Sequence, residues 1–127
     1  LATAGQRGNP LAQLPQKLTM IIFDPMNSEQ LTWAKIQFMH RFGEGKVMPI
    51  FTRLKRDDGW KHLEDLRGQF YGQMFKINPE IINRFLIKAT PSIISVEGTY
   101  FKVQQFAQAD VREYTRINQQ SEKGVAQ

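Results

Sequence analysis

The sequence predicts an α/β domain in which a central mixed sheet is flanked by helices. Three stretches carry that prediction. The first is a pair of apolar runs, Lys17–Phe23 and residues 46–54, separated by a segment of helical periodicity. Two strands joined through a helix pair in parallel, and the crossover is right-handed. The second is Thr90-Pro91, set just before the apolar run Ile93-Ile94. Proline cannot donate to a sheet ladder, so here it marks the opening of a buried strand. The third is the pair of runs 92–96 and 100–106, joined by Glu97-Gly98-Thr99, which reads as an antiparallel hairpin.

Composition narrows the chemistry. A chain of 127 residues with 41% hydrophobic side chains is one domain, long enough to bury a core. It contains no cysteine. That excludes disulfides, thiolate metal sites, cysteine nucleophiles and dithiol redox chemistry together. The net charge of +5 allows attraction to acidic partners without demanding nucleic acid. No apolar run is long enough to span a bilayer. The chain opens at Leu1 without a methionine, which reads as a trimmed or mature fragment.

In chain order, residues 1–16 carry Gly5, Gly8, Pro10 and Pro15 among polar residues and read as a flexible arm. Leu11 and Leu14 are its candidate docking residues. Lys17–Phe23 is short, rich in isoleucine and closed by Asp24-Pro25, hence a buried strand. A helix follows from about Glu29, capped by Asn27 or Ser28. Asn27 and Gln30 have the spacing of a capping box. Leu31, Ala34, Phe38 and Phe42 form its apolar stripe, widened by Ile36 and Met39, and Gly43 and Gly45 end it. Residues 46–54 form the second strand, where Pro49 indicates an edge or a bulge. Arg53 to Gly59 is a charged loop, read as solvated because Asp57 and Asp58 offset its cations. A second helix spans residues 60–69, with Trp60, Leu63 and Leu66 on its apolar stripe. Residues 70–75 suggest a short strand. Asn78-Pro79 opens a third helix, with Ile81, Ile82, Phe85 and Leu86 as its buried side. After the hairpin, residues 110–117 read as a last helix. The domain is thus placed at 17–117, with a polar tail at 118–127 expected to be disordered.

This order, β-α-β followed by β-β-α, resembles the thioredoxin-like fold. In that fold a cis-proline lies where Pro91 stands, beside the redox site, and the topology favours this reading over an ordinary trans proline. The redox dithiol of that fold would fall in Asp24-Pro25-Met26-Asn27-Ser28-Glu29-Gln30, which has no thiol. Ser28 reads as a helix cap, because no base is implied beside it. His40 and His62 read as surface histidines at a spacing that makes no metal site. Asp24 and Glu29 read as a turn residue and a helix-dipole partner. The expectation is a protein without catalytic residues, metal or cofactor.

A finer resemblance rests on several matches. They are Ile-Ile-Phe-Asp at Ile21 to Asp24, then Glu29-Gln30-Leu31-Thr32-Trp33-Ala34. Met74-Phe75, Phe85-Leu86-Ile87, Thr90-Pro91-Ser92, Gly98 and Tyr100-Phe101-Lys102-Val103 follow. Over residues 17–106 this pattern resembles the C-terminal region of the TraW family, periplasmic assembly proteins of F-type conjugation systems, whose partner TrbC is a second cysteine-poor, thioredoxin-like protein. It departs from the family in the charged loop after Pro49. The resemblance implies a periplasmic, non-catalytic protein of pilus or secretion-channel assembly. Its partners would be other secretion-system proteins, such as a second thioredoxin-like protein of the TrbC type. A thioredoxin-like groove can hold an extended peptide by backbone pairing without thiols. Pro25, Met26, Trp33, Thr90 and Pro91 are its candidate lining, although core packing is the simpler reading of Met26 and Trp33. Two alternatives stand beside this one. A thioredoxin-related enzyme with a non-thiol site would show a carboxyl of raised pKa between Asp24 and Glu29. A nucleic-acid-binding module would gather its Lys and Arg on one face, whereas here they are scattered among acids.

Overall fold

Lys17–Phe23 (β1) and Lys46–Phe51 (β2) pair in parallel, in register from Leu18 opposite Lys46 to Phe23 opposite Phe51. A computed structural model describes residues 17–84 and 89–126. The crossover is helix α1, Ser28–Arg41. Helix α2 is Gly59–Gln69, strand β3 is Phe75–Lys76, and helix α3 is Pro79–Arg84. Strands β4 (Ser92–Glu97) and β5 (Tyr100–Gln105) form the expected hairpin, and helix α4 is Gln108–Ala126. The five strands lie in the order β3-β2-β1-β4-β5. β4 runs antiparallel to β1, and β3 parallel to β2.

Alternation along these strands divides the core between the two faces of the sheet. Ile21, Phe23, Val47, Phe51 and Ile93 project to one face, where Trp33, Ala34 and Phe38 of α1, Leu66 of α2, and Val111 of α4 cover them. Met20, Ile22, Ile50 and Ile94 project to the other, where Ile77 and Ile81 pack against them.

Several elements differ from the sequence expectation for identifiable reasons. The buried face of α1 is Gln30, Trp33, Ala34, Gln37 and Phe38, whereas Met39 and Phe42 are about half exposed. Two glutamines are tolerated there because each is bonded. Gln37 accepts from Arg41 Nε at 3.0 Å, and Gln30 makes the contacts described below. Trp33 is fully buried against Phe106, with ring centroids 5.2 Å apart. Trp60 is 71% exposed. Steps of three residues drift about 60° per step around a helix, so Trp60 leaves the face that Leu66 buries. β2 stops at Phe51 and is not an edge strand, because β3 pairs with it. β3 reaches only Ile50 and Phe51, however, so Pro49 lies outside that ladder and its missing N–H disrupts nothing there. The short strand expected over 70–75 contracts to Phe75–Lys76, and Phe70 turns inward to be fully buried. Ile82 is 37% exposed; Phe85, Leu86, Leu11 and Leu14 lie outside the described residues. Helix α4 runs past the predicted end at Ile117, through positions assigned to the polar tail.

Candidate functional site

The loops at the finishing ends of β1 and β2 meet the loop that opens β4. β1 ends in Asp24, whose carbonyl accepts from the Asn27 N–H at 3.0 Å, closing a turn over Pro25 and Met26. The Asp24 carboxylate accepts from the Met26 N–H at 2.9 Å. Arg53, just past β2, donates to both carboxylate oxygens, Nε to Oδ1 at 3.0 Å and Nη2 to Oδ2 at 2.9 Å. Burial alone presses the Asp24 carboxyl upward. The hydrogen bonds from Arg53 and the Met26 N–H, together with the Arg53 charge, outweigh it and hold the carboxyl below its ordinary value.

Asn27 is the cap of α1, accepting from the Glu29 and Gln30 N–H groups at 3.0 and 3.2 Å. Gln30 does not complete a capping box. Its Oε1 accepts from the Asp24 N–H at 2.8 Å, and its Nε2 donates to the Thr90 carbonyl at 3.4 Å. One buried amide thus links the β1–α1 loop to the Thr90-Pro91 loop, 60 residues away in sequence. The Thr90-Pro91 bond is cis. Beyond it, the Pro91 carbonyl accepts from the Phe106 N–H at 3.0 Å, and Ser92 Oγ donates to the Ala89 carbonyl at 2.6 Å.

Between these loops lies a cleft of about 400 Å³, lined by Ile22, Asp24, Thr52, Ile77, Ile82, Ala89 and Thr90. Of the five residues nominated from sequence, Thr90 lines it and Met26, 44% exposed, stands on the neighbouring loop. Pro25 and Pro91 are buried. Trp33 sits in the core and offers no surface to a ligand. Sequence reasoning missed Gln30, Arg53, Thr52 and the isoleucines of the cleft. The signal for Gln30 was its place three residues before Trp33 and seven before Gln37, on the buried stripe.

The other polar residues considered from sequence have structural partners. Glu29 is bonded by Arg112 Nε at 2.6 Å and by Gln108 of α4. The hydrogen bond from Arg112 is the main influence holding its carboxyl below the ordinary value. His40 Nδ1 lies 3.1 Å from the Tyr114 hydroxyl, and His62 Nδ1 accepts from the Lys55 N–H at 3.0 Å. Ser28 is exposed in the first turn of α1, which Asn27 caps.

Solved structures share this architecture. A secreted disulfide oxidoreductase of Mycobacterium tuberculosis, homologous to E. coli DsbE, matches with a TM-score of 0.56 at 11% identity, over 82% of this chain and 81% of that one. The fold is thioredoxin-like. M. tuberculosis DsbF matches with a TM-score of 0.54 at 11% identity, over 83% of this chain and 80% of that one. The thioredoxin domain of a Bacteroides vulgatus thiol-disulfide oxidoreductase matches at 0.50 and 13% identity, over 80% and 77%. No family model matches the chain, and no curated protein matches its sequence. At these identities the likeness is one of fold. Disulfide exchange needs a thiolate, which a cysteine-free thioredoxin-like chain cannot supply.

Proposed function

We propose that this chain is a non-catalytic assembly protein of a conjugative type IV secretion system, working in the periplasm by binding an extended segment of a partner protein. The observation that carries this reading is the cleft beside Thr90 in a thioredoxin-like chain without cysteine. Its lining is apolar apart from Asp24 and the two threonines, and the Asp24 charge is already engaged by Arg53. Such a cleft suits an aliphatic side chain of the bound segment while backbone groups of the flanking loops pair with it. The sequence resemblance to the TraW family supplies the biological setting. It also supplies the class of partner, another secretion-system or pilus-assembly protein such as one of the TrbC type.

Two features weigh against the alternatives. Asp24 and Glu29 both have lowered pKa values and arginine partners, where acid–base work favours a raised carboxyl. Arg53, Arg112 and Arg116 each bond a carboxylate at 2.9 Å or closer, which leaves their charges poorly placed to collect phosphates.

The test is photo-crosslinking from a benzophenone side chain placed at Met26, in cells carrying a complete conjugation system. An adduct with one secretion-system protein, lost when Ile82→Arg fills the cleft, is the expected result. Adducts unchanged by Ile82→Arg, or identical to those from a probe at Lys61 on α2, would overturn the reading.

A further inference from the structure

Around the connections from α1 to β2 and from α2 to β3, four large apolar side chains are exposed. They are Met39 (52%), Phe42 (50%), Tyr71 (55%) and Phe75 (37%). Phe42 and Tyr71 meet edge to face at 5.1 Å. Both rings rest on Phe38, at 5.4 and 5.7 Å, and Phe38 in turn contacts Phe70 at 5.3 Å. The pair is therefore fixed to the core by rings beneath it, while its outer surfaces face solvent.

The backbone at Tyr71 is unusual. Helix α2 closes with the Gly72 N–H donating to the Arg67 carbonyl at 2.7 Å, the long bond of a Schellman motif. The residue before Gly72 in that motif is left-handed and is usually glycine. Here it is Tyr71, at φ +54°. A tyrosine here carries a backbone cost, which its ring contacts with Phe38 and Phe42 offset.

A cleft of about 760 Å³ lies beside the pair, lined among others by Phe42, Lys46, Val47, Arg67, Met74 and Phe75. No carboxylate is among its lining residues. Lys46 forms no ion pair among the described residues, and Arg67 bonds only Glu64, at 3.4 Å. The two cations and the ring pair specify the occupant. We infer that this region carries a second docking surface, for a protein segment with an aromatic or aliphatic side chain flanked by carboxylates. The apolar residue packs on Phe42 and Tyr71, and the carboxylates meet Lys46 and Arg67. This surface and the Thr90 cleft share no lining residue, so the domain would hold two partner segments at once.

The test uses the full chain and two fluorescein-labelled peptides with a Leu-Phe core, one flanked by aspartates and one by lysines. Anisotropy should show the aspartate-flanked peptide binding about tenfold tighter or better. Its NMR shift changes should fall on Phe42, Tyr71 and Phe75 and leave Thr90 and Asp24 unmoved, which keeps the outcome separate from that of the Thr90 cleft. Lys46→Gln with Arg67→Gln should abolish the preference in a protein that still unfolds cooperatively. Tyr71→Gly should weaken binding in a protein that stays folded, because relief of the backbone offsets part of the lost ring contact. Equal binding of both peptides overturns the inference, as does a folded Tyr71→Gly protein that binds normally. Salt-sensitive binding of oligo-dT at these residues would replace it with a nucleic-acid surface, and self-association through them without peptide would replace it with a contact between copies.

Discussion

Where β1 and β2 finish, directional polar bonds hold the loops. Gln30 bonds both Asp24 and Thr90, and Arg53 clamps the Asp24 carboxylate with two bonds. On the α1 and α2 side of the sheet, Phe38, Phe42, Phe70 and Tyr71 hold one another by ring contacts, Phe70 reaching Phe23 of β1, and Gly45 lets the chain pass against Lys17. Hydrogen bonds fix angles and positions, which suits a cleft whose walls are loops. Ring packing fixes area without strict direction, which suits a surface that accepts varied apolar side chains. One sheet thus carries a shaped end and an adaptable side.

Breaking the aromatic side should have the largest effect on stability. Phe38→Ala removes a side chain that is 1% exposed and undercuts both Phe42 and Tyr71. Urea unfolding should show a loss of about 3–5 kcal/mol. Trp33→Ala should cost a similar amount, as expected of a core residue and not of a groove residue. At the polar end, Gln30→Ala leaves the partly buried Asp24 N–H without its acceptor and should cost about 1 kcal/mol. Its distinguishing mark is faster hydrogen exchange at Asp24 together with shifted resonances at Thr90, with little change around Phe42. Gly45→Ala should cost more than about 1 kcal/mol. Its φ is +120°, and a Cβ there would stand 2.6 Å from the Lys17 carbonyl oxygen, backbone that has no easy way to move.

The smallest effect concerns pH. Folding holds the Asp24 carboxyl below its ordinary value of 3.8, so the native state favours the ionised form. The resulting stability is complete above about pH 5 and is lost as pH falls through the folded-state pKa. Arg53→Gln should raise the Asp24 pKa toward the ordinary value, read from its carboxyl carbon shift. The difference in stability between the two proteins should shrink in acid. An unchanged Asp24 titration would mean that Arg53 contributes nothing to the shaped end.

Much of the fold was legible in the sequence because strand runs and turn residues act locally. β1 was bounded by isoleucines and Asp24-Pro25, the hairpin by Gly98, and the third helix by Asn78-Pro79, where Asn78 Oδ1 accepts from the Glu80 N–H at 2.8 Å. The site was less legible. Periodicity shows that a helix has an apolar stripe but not where the helix sits on the sheet, so it leaves Trp33 between groove lining and its simpler reading as core, and points Met39 toward the core. Gln30 is polar, and only its partners in two distant loops make its burial sensible. Arg53 was read with the charges beside it in sequence, whereas its partner is Asp24, 29 positions earlier. Long-range pairing of this kind leaves no periodic trace in a chain.

The most direct test of the proposed assembly role is conjugative transfer from donor cells whose only copy of this protein carries Ile82→Arg. The substituted side chain starts from an exposed helical position and fills the cleft beside Thr90. If the cleft holds a partner segment, transfer falls steeply while protein level and melting temperature stay at wild-type values. Transfer at the wild-type frequency, with the cleft blocked and the protein folded, would contradict the account.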